Sequence, residues 1–495
     1  MLTDGRLGVP PTKSLSEHVN RVQLTSELDS LQEFVELDLA HVITLAECGA
    51  LSRGVAAKLL TALLRVEGPN PEVRLAVDDT RGSMLLQIEA YLIAECGPDG
   101  GMLQLARSRI DQSAAAMRLL ARRHTDAVIA ALLTFGEAQL KAAARYDLQP
   151  IPGYTHFQHA QPTTLGHYLN AHYWVTSRNI ERLEEALARI DLSALGGAAM
   201  VGTDWPLDRE RTAALLGHRG LVFNARDAAA FALDINAEVA GELALTLGGL
   251  GRLAGDLLLW SSSELQYVKL YAGLCGTSSM MPQKRNPYAL ERVRALSGEA
   301  IGWSASQLGV VKLATSTDGD IVFARNRIPE MCESVVGAIE LMTDTIETLE
   351  IDSEAMRRSA GSGWSTVSSL ADELVRHARC SFRVAHDIVA RLVRLSEEQG
   401  RTAEQLESKD LKAAVVDAGL DVDVDGIDIR SVLDVDRFIG TRTSFGGAAK
   451  AERARLAALA LADLQQHRGK FAETQDRVSA AHHELLTTAR EMASR

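Results

Sequence analysis

The fold of this chain is decided by one long apolar stretch, residues 227–271, which reads DAAAFALDINAEVAGELALTLGGLGRLAGDLLLWSSSELQYVKLY. Its apolar residues recur at three- and four-residue intervals, the spacing that lines one face of an α-helix. No proline lies between Pro206 and Pro282, so no proline breaks such a helix. We therefore predict one long helix here, whose apolar face comprises Phe231, Ile235, Val239, Leu243, Leu247 and Leu250.

Glycines inside this stretch set a second expectation. Each costs a helix about 1 kcal/mol relative to alanine, so four of them need a reason. We interpret them as points where a neighbouring helix comes close in a bundle; a broken helix is the alternative. They are Gly248, Gly249, Gly251 and Gly255.

Two further proline-free stretches extend the helical prediction to the whole chain. Residues 112–146 and 288–313 are predicted to form long helices, and no strand pattern of useful length occurs. The predicted fold class is therefore all-α, a bundle of unusually long helices. The expected domains are an N-terminal helical domain (1–112), a central long-helix bundle (113–365) and a C-terminal helical domain (366–495).

Composition excludes several classes of function. The 495 residues carry 52 Lys and Arg against 65 Asp and Glu, a net charge of −13 that argues against nucleic-acid binding. Five scattered cysteines without a Cys-x-x-Cys pair indicate a reducing compartment and no structural zinc site. Residues 1–18 contain no apolar core for a signal peptide, so we expect none, and no run approaches the length of a membrane span. We expect a cytoplasmic protein with neither nucleic-acid nor membrane partners.

The most specific motif is GTSSMMPQKRNP, residues 276–287. A flexible glycine leads into two adjacent hydroxyls, Ser278 and Ser279, followed by Lys284 and Asn286. A turn of this kind that opens a helix forms an anion-binding concavity, and Lys284 adds a positive charge. A serine in that field can act as a base. The alternative is an ordinary solvated loop.

A second polar motif, YTHFQHAQPTT, occupies residues 154–164. Thr155 and Gln158 can bind a carboxylate or an amide, and His156 is a candidate proton donor. No Cys, Asp or Glu lies nearby to complete a metal site, so we predict no metal. In a third segment, Ser108 and Arg109 precede the predicted helix 112–146. Arg109 either binds a carboxylate through two parallel N–H hydrogen bonds or faces solvent.

These three segments, in this order, resemble the signature regions of the fumarase/aspartase superfamily, and within it the argininosuccinate lyase family. The resemblance implies a homotetramer with a 20-helix core, in which each active site takes one loop from each of three subunits. It also implies cofactor-free anti β-elimination of an N-substituted aspartate, a small dicarboxylate, to fumarate and an amine. Further stretches that carry the likeness are 203–210, 259–262, 366–374 and 442–447.

Roles for the motif residues follow from the resemblance. Ser278 would abstract the Cβ proton, and Lys284 with Asn286 would hold the carboxylate on which charge develops. His156 and Thr155 would lie near the leaving group, and Ser108 with Arg109 at the other carboxylate. Gln158 and Ser279 complete the substrate-binding prediction.

Several positions depart from the family pattern where it recognises the arginine part of the substrate. Ile110 stands in place of an asparagine, and Leu85 in place of a histidine. Counting without gaps from Asn286, the positions of a Tyr, a Gln and a Lys are Asp318, Phe323 and Asn326. Losing several polar contacts to one ligand costs several kcal/mol of discrimination. We therefore predict retained elimination chemistry with a different amine, and Asp318 as a candidate contact for a cationic amine.

Three alternatives stay open at this point. The chain could be a true argininosuccinate lyase of arginine biosynthesis, or a non-catalytic structural homologue. It could also release a different leaving group, as adenylosuccinate or nitrosuccinate lyases do. The retained Ser278, Lys284, Asn286, Thr155 and His156 argue against loss of catalysis. The absence of an obvious Arg/Lys cluster near the loops disfavours a nucleotide substrate.

Overall fold

The computed structural model describes residues 9–231, 234–311 and 327–494. Its helices are α1 (Lys13–Leu15), α2 (Arg21–Glu27), α3 (Leu31–Glu47), α4 (Arg53–Leu64), α5 (Met84–Cys96), α6 (Arg109–Arg145), α7 (Leu165–Ile190), α8 (Arg209–Leu215), α9 (Ile235–Trp260), α10 (Tyr288–Val311), α11 (Ile328–Glu347), α12 (Ser353–Gly361), α13 (Ser368–Ala378), α14 (Phe382–Glu398), α15 (Ser408–Asp417), α16 (Ile429–Leu433), α17 (Val435–Gly440) and α18 (Lys450–Ala493).

Strands in the described residues are only two residues long and pair antiparallel. They are β1 (Pro150–Ile151) with β4 (Thr163–Thr164), β2 (Tyr154–Thr155) with β3 (Gln158–His159), β5 (Val268–Lys269) with β8 (Glu350–Ile351), and β6 (Gly276–Thr277) with β7 (Arg285–Asn286). The predicted all-α, long-helix fold is confirmed.

The decisive stretch forms one continuous helix, α9, but the predicted limits 227–271 are wrong at both ends. Residues 227–231 form a separate π-helical turn, and the helix ends at Trp260. The physical reason for the second limit is the run of serines that follows, because serine hydroxyls compete for backbone partners. Ser261 Oγ donates to the Leu258 carbonyl, and Ser262 Oγ accepts from the Leu265 N–H.

The glycines of α9 fulfil the packing interpretation at two of four positions. A Cβ added at Gly249 would lie 2.9 Å from Val175 Cγ1 of α7, and one at Gly251 would lie 2.6 Å from Ser297 Oγ of α10. These glycines therefore permit close helix–helix approach. Gly248 and Gly255 face no such neighbour within the described chain.

Helix α6 is one of the two longest helices in the described residues. Its 37 residues span about 55 Å at 1.5 Å per residue. It packs against α7 and α11, and these three helices share one buried apolar cluster with α9 and α10. Two of these helices, α6 and α9, are apolar and long enough to cross a membrane by composition, and 56% and 44% of their most apolar windows are buried inside the fold. Core helices of a bundle meet the same criterion of length and composition, so these two helices are weak evidence for a membrane span.

The described residues form further buried clusters outside the bundle. One of them, the N-terminal cluster, gathers residues between 24 and 119 with a few from 194–228 and 485–489. Another lies between residues 370 and 433. The last helix, α18, contributes to two other clusters instead. Leu464 belongs to the cluster around α6, and Leu485 belongs to the N-terminal cluster. The three predicted domain limits stay predictions.

Candidate active site

The second motif forms a hairpin whose tip is conformationally strained. Strands β2 and β3 pair, and His156 and Phe157 connect them with φ angles of 56° and 58°. Two successive left-handed residues match a type I′ turn, which usually contains Asn-Gly. Residues other than glycine persist in this region only when their surroundings hold them there. The tip is exposed, with Phe157 at 82% of its full accessibility.

The 276–287 motif is a loop closed at its base by β6 and β7. At its start, Ser278 Oγ accepts the backbone N–H groups of Met280 at 3.3 Å and Met281 at 3.0 Å. Hydrogen bonds donated to an oxygen favour its charged form, so this arrangement suits a serine that acts as a base. Lys284 is exposed and Asn286 half-buried on the same loop.

The structure corrects the predicted start of the helix that follows Ser108. Helix α6 begins at Arg109, not at residue 112, because Asp111 accepts the Ser108 N–H at 2.9 Å. The other Asp111 oxygen accepts N–H groups of Gly196 at 3.0 Å and Ala198 at 2.8 Å. Asp111 therefore joins this segment to the glycine-rich loop that follows α7. Sequence reasoning missed it, although Ser-x-x-Asp is a recognisable helix-start pattern.

A buried ion pair fixes Arg107, the residue that directly precedes Ser108. Arg107 Nη2 lies 2.7 Å from Asp38 Oδ1, with both side chains removed from solvent. His41 Nε2 donates to the Leu105 carbonyl at 2.8 Å, and burial with the Arg107 charge lowers the pKa of His41 well below its usual range. A neutral His41 thus adds no further positive charge beside Arg107.

Replacing Asp38 with alanine is expected to destabilise the fold by about 3 kcal/mol, because it leaves the Arg107 charge buried without its carboxylate partner. The measurement is the thermal midpoint of unfolding. Asp79→Ala is the matched control, since Asp79 pairs with Arg21 at 2.7 Å on the surface and its loss should change the midpoint little. Equal shifts for both variants would contradict this account.

The structure brings the hairpin and the 276–287 loop to one end of the bundle. Tyr154 Oη of the hairpin lies 2.9 Å from Tyr267 Oη, and Arg285 donates to the Leu270 carbonyl at 2.7 Å. Ser108 and Arg109 lie at the opposite end, where α6 begins. Since α6 spans about 55 Å, these two groups cannot meet in one chain.

Some predicted residues lie elsewhere. Leu85 is 3% exposed within the N-terminal cluster, and Ile110 is half-buried in the first turn of α6. Asp318, Phe323 and Asn326 lie outside the described residues. Within the described ranges, no group of three His, Cys, Asp or Glu side chains could hold a metal ion.

Long antiparallel helices that carry a Ser-Ser…Lys-x-Asn loop and a Thr-His hairpin at one end define a protein of the fumarase/aspartase type. A lyase family profile matches residues 66–302, and an argininosuccinate lyase C-terminal profile matches residues 364–440. The argininosuccinate lyase of Methanothrix thermoacetophila is 36% identical over 91% of both chains. The chain belongs to the argininosuccinate lyase family.

Solved structures give a second comparison. An EDDS lyase in complex with formate superimposes with a TM-score of 0.88 at 32% identity, covering 98% of this chain and 97% of the other. A variant of EDDS lyase with bound fumarate has a TM-score of 0.88 at 31% identity and the same coverage. Relatives of differently named specificity thus share this fold at similar identity.

Proposed function

We propose that this protein is a carbon–nitrogen lyase that converts an N-substituted aspartate to fumarate and an amine by anti β-elimination. The observation that carries the proposal is the Ser278 oxygen, which accepts two backbone N–H groups on a loop that also bears Lys284 and Asn286. The family's named members are lyases, and a related structure holds fumarate.

The proposed step balances without a cofactor. Ser278 Oγ takes the Cβ proton, the electrons of that C–H bond form the double bond, and the C–N bond breaks. His156 and Thr155 lie near the departing nitrogen, where His156 supplies a proton. The Cβ proton is weakly acidic, so most of the barrier is lowered by fixed positive charge around the developing dianion.

Charged and amide groups have complementary tasks in this proposal. Lys284 and Asn286 hold the carboxylate on which negative charge grows, and Ser279 lies beside them in sequence. Ser108 and Arg109 bind the second carboxylate, where a guanidinium can form two parallel hydrogen bonds. Gln158 completes the polar set at the hairpin.

A complete site needs more than one subunit, and we propose a homotetramer with a 20-helix core. The distance of about 55 Å along α6 separates Arg109 from the hairpin in one chain, so a second chain must supply one of them. Two bundle helices also expose apolar side chains that an assembly would bury. These are Leu245 and Leu259 of α9, with Ile301 and Leu308 of α10.

The amine is proposed to differ from arginine. Ile110 places an apolar side chain directly after the proposed carboxylate-binding pair, Ser108 and Arg109. Leu85 is buried within the N-terminal hydrophobic cluster. Both positions therefore lack a polar contact that a guanidinium-bearing substrate would need. Asp318 remains a candidate for a cationic amine, and Phe323 for an apolar part of the pocket. The cytoplasmic location stays a prediction.

An amine screen tests this specificity. Wild-type protein is expected to turn over at least one N-alkyl or N-aminoalkyl aspartate with a kcat/KM about a hundredfold or more above that of argininosuccinate, as several lost polar contacts would give. Fumarate formation is followed by its ultraviolet absorbance, and addition of amines to fumarate gives the reverse reaction. Efficient turnover of argininosuccinate alone would refute the changed specificity and favour the true argininosuccinate lyase.

A further inference from the structure

The strained hairpin is anchored by His159, a residue without an assigned role. Its Nδ1 lies 3.2 Å from the Ser362 carbonyl oxygen and 3.2 Å from Ser362 Oγ, and its Nε2 lies 3.3 Å from Ser359 Oγ. Both serines lie at the C-terminal end of α12, about 200 residues further along the chain. The hairpin is therefore tied to a different element by three polar contacts.

The chain backbone is shaped to admit the imidazole. Gly363 has a φ of 62°, and a Cβ added there would lie 2.7 Å from His159 Nδ1. Any other residue at position 363 would push the ring away. The approach is thus built from both sides, by the ring on β3 and by a glycine after α12.

The direction of each hydrogen bond can be deduced. A carbonyl oxygen only accepts, and the Ser362 hydroxyl already donates to the Ser359 carbonyl at 2.9 Å, so Nδ1 of His159 carries a hydrogen. In the neutral ring, Nε2 then accepts from the Ser359 hydroxyl.

The remaining donors follow in sequence. With the Ser359 hydrogen committed to His159, Tyr267 donates to Ser359, and Tyr154 donates to Tyr267. Tyr154 and His159 face each other across the β2–β3 pair, so these hydrogen bonds form a cyclic hydrogen-bond network. Burial and the Tyr267 bond raise the pKa of Tyr154 to about 12, which keeps this donor protonated.

We propose that His159 is a positioning residue, which holds the strained His156–Phe157 tip through this cyclic hydrogen-bond network. It thereby keeps Thr155, His156 and Gln158 in one orientation toward substrate. The role rests on the proposed function. Left-handed residues at the tip need such external support, since the turn lacks the glycine that would adopt it freely.

Three substitutions separate the parts of this role. His159→Phe keeps an aromatic side chain but removes all three polar contacts, and should lower kcat at least tenfold with a smaller change in KM. His159→Asn can retain the donor at the Nδ1 position, and His159→Gln the acceptor at the Nε2 position. Each is expected to recover part of the lost kcat. Deuterium exchange of the peptide 153–162 should accelerate at least fivefold in His159→Phe.

His167→Phe is the matched control, because His167 also makes two bonds, to Thr163 Oγ at 2.8 Å and to the Gly446 carbonyl at 3.0 Å. It should leave hairpin exchange within twofold of wild type. If His159→Phe does not fold, Ser359→Ala breaks the same cyclic hydrogen-bond network without changing the sequence of the hairpin. It should also lower kcat and accelerate deuterium exchange of the hairpin.

Two results would overturn the positioning role. One is unchanged hairpin exchange, and the other is an unchanged kcat, in His159→Phe or Ser359→Ala of an active enzyme. A wild-type protein that releases no fumarate from any N-substituted aspartate would refute the proposed function itself. Exchange would still report the anchoring in that case, so the two failures are distinguishable.

Discussion

Ser278→Ala is expected to lower fumarate release by about a thousandfold or more, because it removes the proposed general base and leaves no group to accept the Cβ proton. The Ser278 oxygen is oriented by the N–H groups of Met280 and Met281, and alanine offers no oxygen to orient. Initial rates with the best substrate of the amine screen give the measurement. The folded assembly should persist, since Ser278 lies outside the buried clusters.

Ser279→Ala is the matched comparison for this prediction. Ser279 is the adjacent hydroxyl on the same loop but is exposed, and we assign it only to substrate binding. Its loss should raise KM more than it lowers kcat, with a total effect of about tenfold. A larger loss of kcat in Ser279→Ala than in Ser278→Ala would assign the base to the other serine.

The long helices could be predicted because periodicity and absent prolines act locally. The ends of those helices depend on side-chain hydrogen bonds, and some of these are also local. The serines after Trp260 end α9, and the Ser108-x-x-Asp111 pattern starts α6, so a closer reading of capping residues would have corrected both limits.

Other parts of the site could not be predicted from one sequence, because their partners are distant in the chain. Asp38 meets Arg107 across 69 residues, and His159 meets Ser359 across 200. Each of these residues has an ordinary neighbourhood in sequence, and only the tertiary fold brings the pair together. The same holds for Asp111, whose acceptor role needs the loop at Gly196 and Ala198.

Mixing two inactive variants is expected to restore activity if active sites combine residues of different subunits. Arg109→Glu places a negative charge where a substrate carboxylate should bind, and Ser278→Ala removes the base. Because α6 separates Arg109 from the hairpin end by about 55 Å, a site that uses both Arg109 and Ser278 must take them from different chains. In randomly mixed oligomers, about half the sites receive an intact Ser278 and half of those an intact Arg109, which gives about a quarter of wild-type activity.

The experiment denatures the two purified variants together, refolds them and compares the rate with that of each variant refolded alone. Ser278→Ala mixed with Lys284→Ala is the matched control: both residues belong to one loop of one chain, so every site keeps one defect and no activity should return. Recovery in the first mixture but not in the second requires Arg109 and Ser278 of one site to come from different subunits. If refolded Arg109→Glu and Ser278→Ala form mixed oligomers by mass spectrometry yet stay inactive, the shared site is refuted, because the geometry of α6 then leaves Arg109 no route to the reaction.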